Sequence, residues 1–156
     1  MLDCLIDYGI EVSSSIKNPI KHNGVSLPDE PFIFSKGSRQ IIELPLLTKH
    51  FNRLKLIYSG GGYFRVLPLS VLHKWFSNRK YLMLYFHPND FDINHPTRKE
   101  LGFVRNYLNT IGTKTTLHKL EKLTKEFSFI SISQQLSQLD KNKLPVVNYY
   151  SFITFA

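Results

Sequence analysis

The chain has 156 residues, one cysteine, and 20 Lys and Arg against 12 Asp and Glu, for a formal net charge of +8. At that length roughly two thirds of the unfolded surface can be buried, so no staples are required, and Cys4 alone excludes an intrachain disulfide or a cysteine-based zinc site. The charge invites a phosphate partner, but Lys17, Lys21, Lys36, Arg39, Lys49, Arg53 and Lys55 are singletons and the densest group, Lys114 to Lys125, contains Glu121; no nucleic-acid partner is expected.

No run approaches the ~20 apolar residues of a membrane span, so none is expected. The start, MLDCLIDYGIEV, is acidic where a signal peptide is basic, which makes the cytoplasm the default expectation.

Apolar positions at Leu2, Leu5 and Ile6 predict the last turns of a helix, with Gly9 placed to end it in a left-handed conformation. Ile10 to Val12 reads as a short strand and Ser13 to Ser15 as a polar turn. Residues 18–31 hold three prolines, Gly24, Asn23 and Asp29, and read as a long surface loop. Phe32 to Phe34 is a strand candidate, Lys36 to Ser38 its turn, and Gln40 to Leu47 a second strand. Glu43 interrupts that apolar run. A buried carboxylate needs partners, so it either points into a polar cavity or caps a neighbouring loop.

Residues 60–65, GGGYFR, let the backbone approach something closely, either a ligand or another chain segment. They lack the Lys-Ser/Thr of a P-loop and the spacing of a dinucleotide fingerprint. Leu67 to Phe76 follows as a helix with Pro68 in its first turn. Tyr81 to Phe86 is a six-residue apolar run, expected to be a strand buried on both faces. It stops at His87-Pro88, because proline has no N–H for a ladder, and so His87 is placed at the strand's carboxyl end, where α/β sheets carry their chemistry. Asp90 and Asp92 follow as candidate charge partners of the imidazole. The competing reading of His87 is a satisfied loop residue.

Residues 94–109 carry Pro96 and Gly102 and read as loop with a helical piece near Phe103 to Tyr107. Thr113 to Phe127 is the clearest helix, with Leu117, Leu120, Leu123 and Phe127 at spacings of three and four. Phe129 to Ile132 reads as a closing strand and Gln134 to Asp140 as a short helix. The tail LPVVNYYSFITFA has no pattern that places it.

Taken in order, Gly9 to Ile16, His22 to Pro31, Ile41 to Pro45, GGGYFRVLP at 60–68, His-Pro at 87–88 and Arg-x-Tyr-Leu-Asn at 105–109 resemble the C-terminal half of polysaccharide deacetylases, the NodB-type carbohydrate esterase family four. The similarity is to the subgroup with an extra C-terminal segment. It implies an α/β fold: a partial, distorted (β/α) barrel lacking its first half over residues 1–130, with the family-specific extension from about residue 89 and a C-terminal tail, 131–156, left unplaced.

The resemblance also implies metal-assisted hydrolysis of N-acetyl groups on an acetylated amino-sugar polysaccharide. In such enzymes a divalent metal, zinc or similar, is held by one Asp and two His, an Asp is the base, and a His from the last barrel strand protonates the leaving amine. His87 carries over as that general acid, a role suited to histidine. Leu84 or Phe86 and Tyr85 would line the acetyl-methyl pocket, and Tyr63 and Arg65 would line or support the glycan groove. The family's Asp-Asp pair and His-x-x-x-His are missing from this sequence, and Ser13 stands where the family has Asp. No metal is therefore expected to bind this chain alone; a makeshift cluster of His87, Asp90, Asp92 and His95 is the remote exception. The chain is expected to be a truncated form, inactive alone, that needs a complementary N-terminal half. The alternative is a non-catalytic glycan-binding or interaction module using Tyr63, Tyr85, Phe86 and Trp75 as stacking platforms, although Trp75 lies on a core-facing helical stripe.

Overall fold

The computed structural model describes residues 2–18, 21–22, 25–51, 54–94 and 102–153. In chain order the elements are α1 (Leu2–Asp7), β1 (Val12–Ser13), β2 (Lys17–Asn18), β3 (Lys21–His22), β4 (Val25–Ser26), β5 (Phe32–Lys36), β6 (Arg39–Glu43), β7 (Leu46–Leu47), β8 (Lys49–Phe51) and β9 (Leu54–Leu56). Then follow α2 (Gly61–Val66), α3 (Leu69–Ser77), α4 (Gly102–Thr110), α5 (Thr113–Glu126), α6 (Ile132–Gln138), β10 (Val146–Asn148) and α7 (Tyr149–Ile153). The fold is mixed α/β. It divides into two compact units, Met1–Thr48 with Gln138–Ala156, and Lys49–Ser137.

The first unit is built on an open sheet in the order β1-β6-β5-β10. β5 and β6 form an antiparallel hairpin across Gly37, whose φ of 61° is the backbone state that glycine adopts cheaply. β1 joins β6 in parallel, and β10 joins β5 in parallel. The tail that the sequence pattern leaves unplaced thus supplies a strand and, through α7, part of the core. Phe32, Phe34, Ile41, Ile6, Leu27 and Tyr149 are buried together, with Phe32 and Phe34 edge to face at 4.9 Å between centroids. Each such side chain stabilises by about 1.5–3 kcal/mol when fully withdrawn from water. Outside this core, Lys36 ties α1 to the hairpin through Asp3 and, at 2.9 Å, Asp7. The ammonium holds the Asp7 carboxyl below its usual range, and the two carboxylates raise Lys36 above its own.

The expected strand from Gln40 to Leu47 is broken in two. Pro45 cannot donate to a ladder, so β6 ends at Glu43 and Leu46–Leu47 pair instead with β2. Glu43 takes the second of its two expected roles. Fully buried, its Oε1 accepts hydrogen bonds from the Ser15 and Ile16 N–H groups at 2.7 and 2.8 Å, capping the loop that follows β1. Of the long loop expected at 18–31, β3 and β4 form a short antiparallel hairpin, while Pro19, Asn23 and Gly24 lie outside the described residues.

In the second unit, the helix expected from Leu67 starts two residues later: α3 begins at Leu69, with Pro68 as its N-cap, and buries Leu72 and Phe76. Phe76 meets Phe127 at 5.9 Å, and His73 reaches Glu126 at 3.0 Å, so α3 runs against the end of α5. From Gly61 the GGGYFR stretch is helical, as α2. Its carboxyl end is gripped by α5. Lys119 Nζ donates to the carbonyls of Arg65 and Leu67 at 2.6 and 2.8 Å, satisfying oxygens that a helix end leaves unpaired. Desolvation in this position lowers the Lys119 pKa. Gly112, at φ 79°, abuts the Arg65 carbonyl so closely that a Cβ there would overlap it.

The run Tyr81 to Phe86 is not a strand buried on both faces. It is half-buried, and one parallel bridge, Tyr85 to Gly60, is its ladder among the described residues, because no second strand lies alongside to extend the pairing. No barrel closes among the described residues. Phe129 and Ile130, expected in a closing strand, are exposed, and Ile132 starts α6.

Two outcomes follow for urea denaturation. Glu43→Leu strands the part-buried Ser15 and Ile16 N–H donors and is expected to cost about 2 kcal/mol, with an unchanged midpoint contradicting the cap. Gly112→Ala combines left-handed strain with overlap on the α2 terminus and is expected to cost about 2–4 kcal/mol.

Candidate functional site

Three short pieces of the second unit meet around a cavity of about 330 Å³: the start of α2, the run ending at Tyr85, and the turn after His87, joined by the end of α4. Its wall is Gly61, Gly62, Arg65, Tyr85, His87, Asn89, Asp90 and Asn109. The volume is within the range of small-ligand sites, although those are usually more apolar than this one.

The turn is set by proline. Pro88 at its first position leaves His87 extended, at φ −105° and ψ 153°, and Pro88–Asp90 then form one turn of 3-10 helix. Asp90 closes it: Oδ2 accepts from the His87 N–H at 2.8 Å, and the Asp90 N–H donates to the His87 carbonyl at 2.9 Å. The other carboxylate oxygen lies 3.2 Å from Arg65 Nε, both side chains being more than nine-tenths buried. Arg65 Nη1 donates to the Asn109 carbonyl at 2.5 Å. One guanidinium therefore ties α2 to the His87 turn and to the end of α4, while its own carbonyl is held by Lys119.

The glycines before α2 answer the question their motif raises: what they approach is another chain segment. A Cβ on Gly60 would collide with the Tyr85 backbone and lie 2.8 Å from its Cδ1. One on Gly61, at φ 56°, would lie 2.9 Å from the Tyr85 hydroxyl. The Tyr85 ring meets the His87 ring edge to face at 6.0 Å. Burial, then the charge of Asp90, raises the Tyr85 pKa, so the phenol is held in its neutral, donating form.

Of the residues singled out from the sequence, the structure brings Arg65, Tyr85 and His87 to one cavity. Tyr63, Leu84 and Phe86 are not part of its wall. Tyr63 is exposed at the α2 surface, and Phe86 packs edge-on to Phe64 at 4.9 Å and against Phe91 at 5.2 Å. Trp75 meets buried Tyr58 edge-on at 5.1 Å, the core-side placement its spacing indicates. Asp90 serves the His87 backbone and Arg65, and Asp92 Oδ1 accepts from the Asn94 N–H at 2.9 Å. Asn89 and Asn109 are the wall residues that sequence reasoning missed, although Asn109 closes the Arg-x-Tyr-Leu-Asn stretch and was visible as a motif position without a role.

The divalent ion implied by the resemblance finds no fitting donor set here. The cavity offers one imidazole and one carboxylate, and that carboxylate already faces a guanidinium. Among the described residues no three His, Cys, Asp or Glu side chains converge; His95 lies outside them.

No curated protein and no solved structure matches the chain. A family model does, described as Domain of unknown function (DUF3473), over residues 14–137. The match spans most of the sequence, from the loop after β1 through α5 and into α6, and includes the whole cavity wall: this chain belongs to the DUF3473 family.

Proposed function

We propose that this chain is the glycan-facing, acid-bearing part of a polysaccharide deacetylase-like hydrolase that removes N-acetyl groups from an amino-sugar polymer. The observation that carries the reading is the convergence of His87, Tyr85 and Arg65, named from sequence, on one polar cavity. In this reading His87 is the general acid that hands a proton to the departing amine. Arg65 supports the wall through Asp90 and the Asn109 carbonyl, with no need to touch the sugar. The metal ligands and the base come from polypeptide other than these residues, on a distorted (β/α) barrel that the two parts complete together.

A second reading, a glycan-binding module without catalysis, is favoured by one feature: the carboxylate in the cavity is engaged by a guanidinium, which suits a neutral ligand better than a cation.

Supplied with a metal-loaded polypeptide carrying Asp-Asp and His-x-x-x-His, the chain is expected to release free amine from N-acetylchitooligosaccharides, and His87→Ala is expected to lower that rate by about 10²–10⁴-fold with little change in binding. Saturable binding with no amine release under any complementation selects the module. Metal-dependent release by the isolated chain contradicts the division of labour proposed here.

A further inference from the structure

The triple glycine and Tyr85 together define a feature that neither a barrel nor an acid histidine requires. Gly60 and Gly61 lack side chains at the two places where the Tyr85 residue lies against them, its Cδ1 over Gly60 and its hydroxyl over Gly61. Ser59 fixes the same segment from below, its carbonyl accepting from the Tyr85 N–H at 3.3 Å. The ring is therefore seated by backbone at both ends, and its hydroxyl stands at the cavity wall beside Gly61. Among the described residues that hydroxyl makes no hydrogen bond. Its proton is also secured, since burial and the Asp90 charge both oppose ionisation.

Around it the cavity is lined by His87, Asn89, Asn109 and the Arg65–Asp90 pair, a polar set in which the one guanidinium is matched by the one carboxylate. A fixed, neutral O–H aimed into such a space matches a neutral carbonyl oxygen, and it gains most where the ligand otherwise offers only hydroxyls and an amide. A free amine in the same place offers no acceptor of that kind, and as a cation it is repelled by the donor.

We propose that the Tyr85 hydroxyl is the specificity-determining donor of this cavity, bonding the carbonyl oxygen of a ligand's N-acyl group, and that positions 60 and 61 are glycine because they seat its ring. The inference rests on the amino-sugar reading above and adds to it the group that distinguishes an acylated sugar from its deacylated form. In a reaction at that carbonyl the same hydroxyl would also face the oxygen on which negative charge develops.

The test is calorimetric titration of the wild-type chain, Tyr85→Phe and Gly61→Ala with penta-N-acetylchitopentaose and with its fully de-N-acetylated counterpart, using Tyr8→Phe, an exposed tyrosine of the other unit, as control. Tyr85→Phe removes one oxygen and is expected to weaken the acetylated ligand about three- to tenfold while leaving the deacetylated one unchanged. Gly61→Ala is expected to do the same by displacing the hydroxyl, at a cost in stability. If the wild type binds the acetylated oligomer and Tyr85→Phe binds it equally well, or if both ligands weaken alike, this inference is overturned and the proposed function stands. If the wild type binds neither oligomer, both fall.

Discussion

A buried ion pair organises this site. Arg65 and Asp90 come from segments 25 residues apart, one on a two-turn helix and the other in a single 3-10 turn, and neither element is long enough to hold its place by helix formation alone. Withdrawing two charges from water is expensive, and a pair of this kind repays it only when further hydrogen bonds complete both partners. Here the surrounding bonds are these: Asp90 accepts from the His87 backbone, Arg65 Nη1 donates to the Asn109 carbonyl, and Lys119 and Gly112 fix the backbone from which Arg65 projects, while Arg65 Nε faces Asp90 as an ion pair rather than through a hydrogen bond. The stability gained is modest; what the arrangement supplies is position. Three connected segments acquire one relative geometry, and a polar cavity is the space left among them.

The same logic separates what the sequence showed from what it did not. Local signals with a single physical meaning were legible. Gly9 ended α1, Pro68 opened α3, the leucines of α5 repeated at helical spacing, and His87-Pro88 marked the end of an extended run. Glu43 was recognisable as a charge that needed partners, and of its two options the loop cap is the one realised. Signals whose meaning depends on a neighbour misled. Tyr81 to Phe86 has the composition of a central strand, but a strand exists only where another lies beside it, and Gly60 gives it one bridge. Phe129 to Ile132 failed for the same reason. The tail from Val146 is the converse: short, mixed and unpatterned, it becomes a strand because the edge of β5 is available.

The site was half visible for a related reason. His87, Tyr85 and Arg65 carry distinctive chemistry and were singled out on that ground. Asn89 and Asn109 are ordinary surface residues until the fold sets them on a common wall, and Asn109 contributes its backbone carbonyl to Arg65, a role that any residue type could fill. Conversely Phe86 and Leu84, attractive as apolar lining, are neighbours of Tyr85 in sequence but point elsewhere than the wall, since successive residues of an extended chain face opposite sides. Membership of the DUF3473 family covers all of these residues and assigns none of them a task, so their roles stand on geometry and chemistry.

The central claim is that Arg65 and Asp90 act as one unit, and a double-mutant cycle tests it most directly. Stability would be measured by urea denaturation for the wild type, Arg65→Met, Asp90→Asn and the double variant, with the His87 amide signal followed by NMR. Each single change is expected to cost about 3 kcal/mol, because it leaves an uncompensated buried group, and the double to cost little beyond either single, a coupling of about 3 kcal/mol accompanied by loss of the native His87 environment in all three. Simple additivity of the two costs, with the His87 amide unmoved, would contradict it.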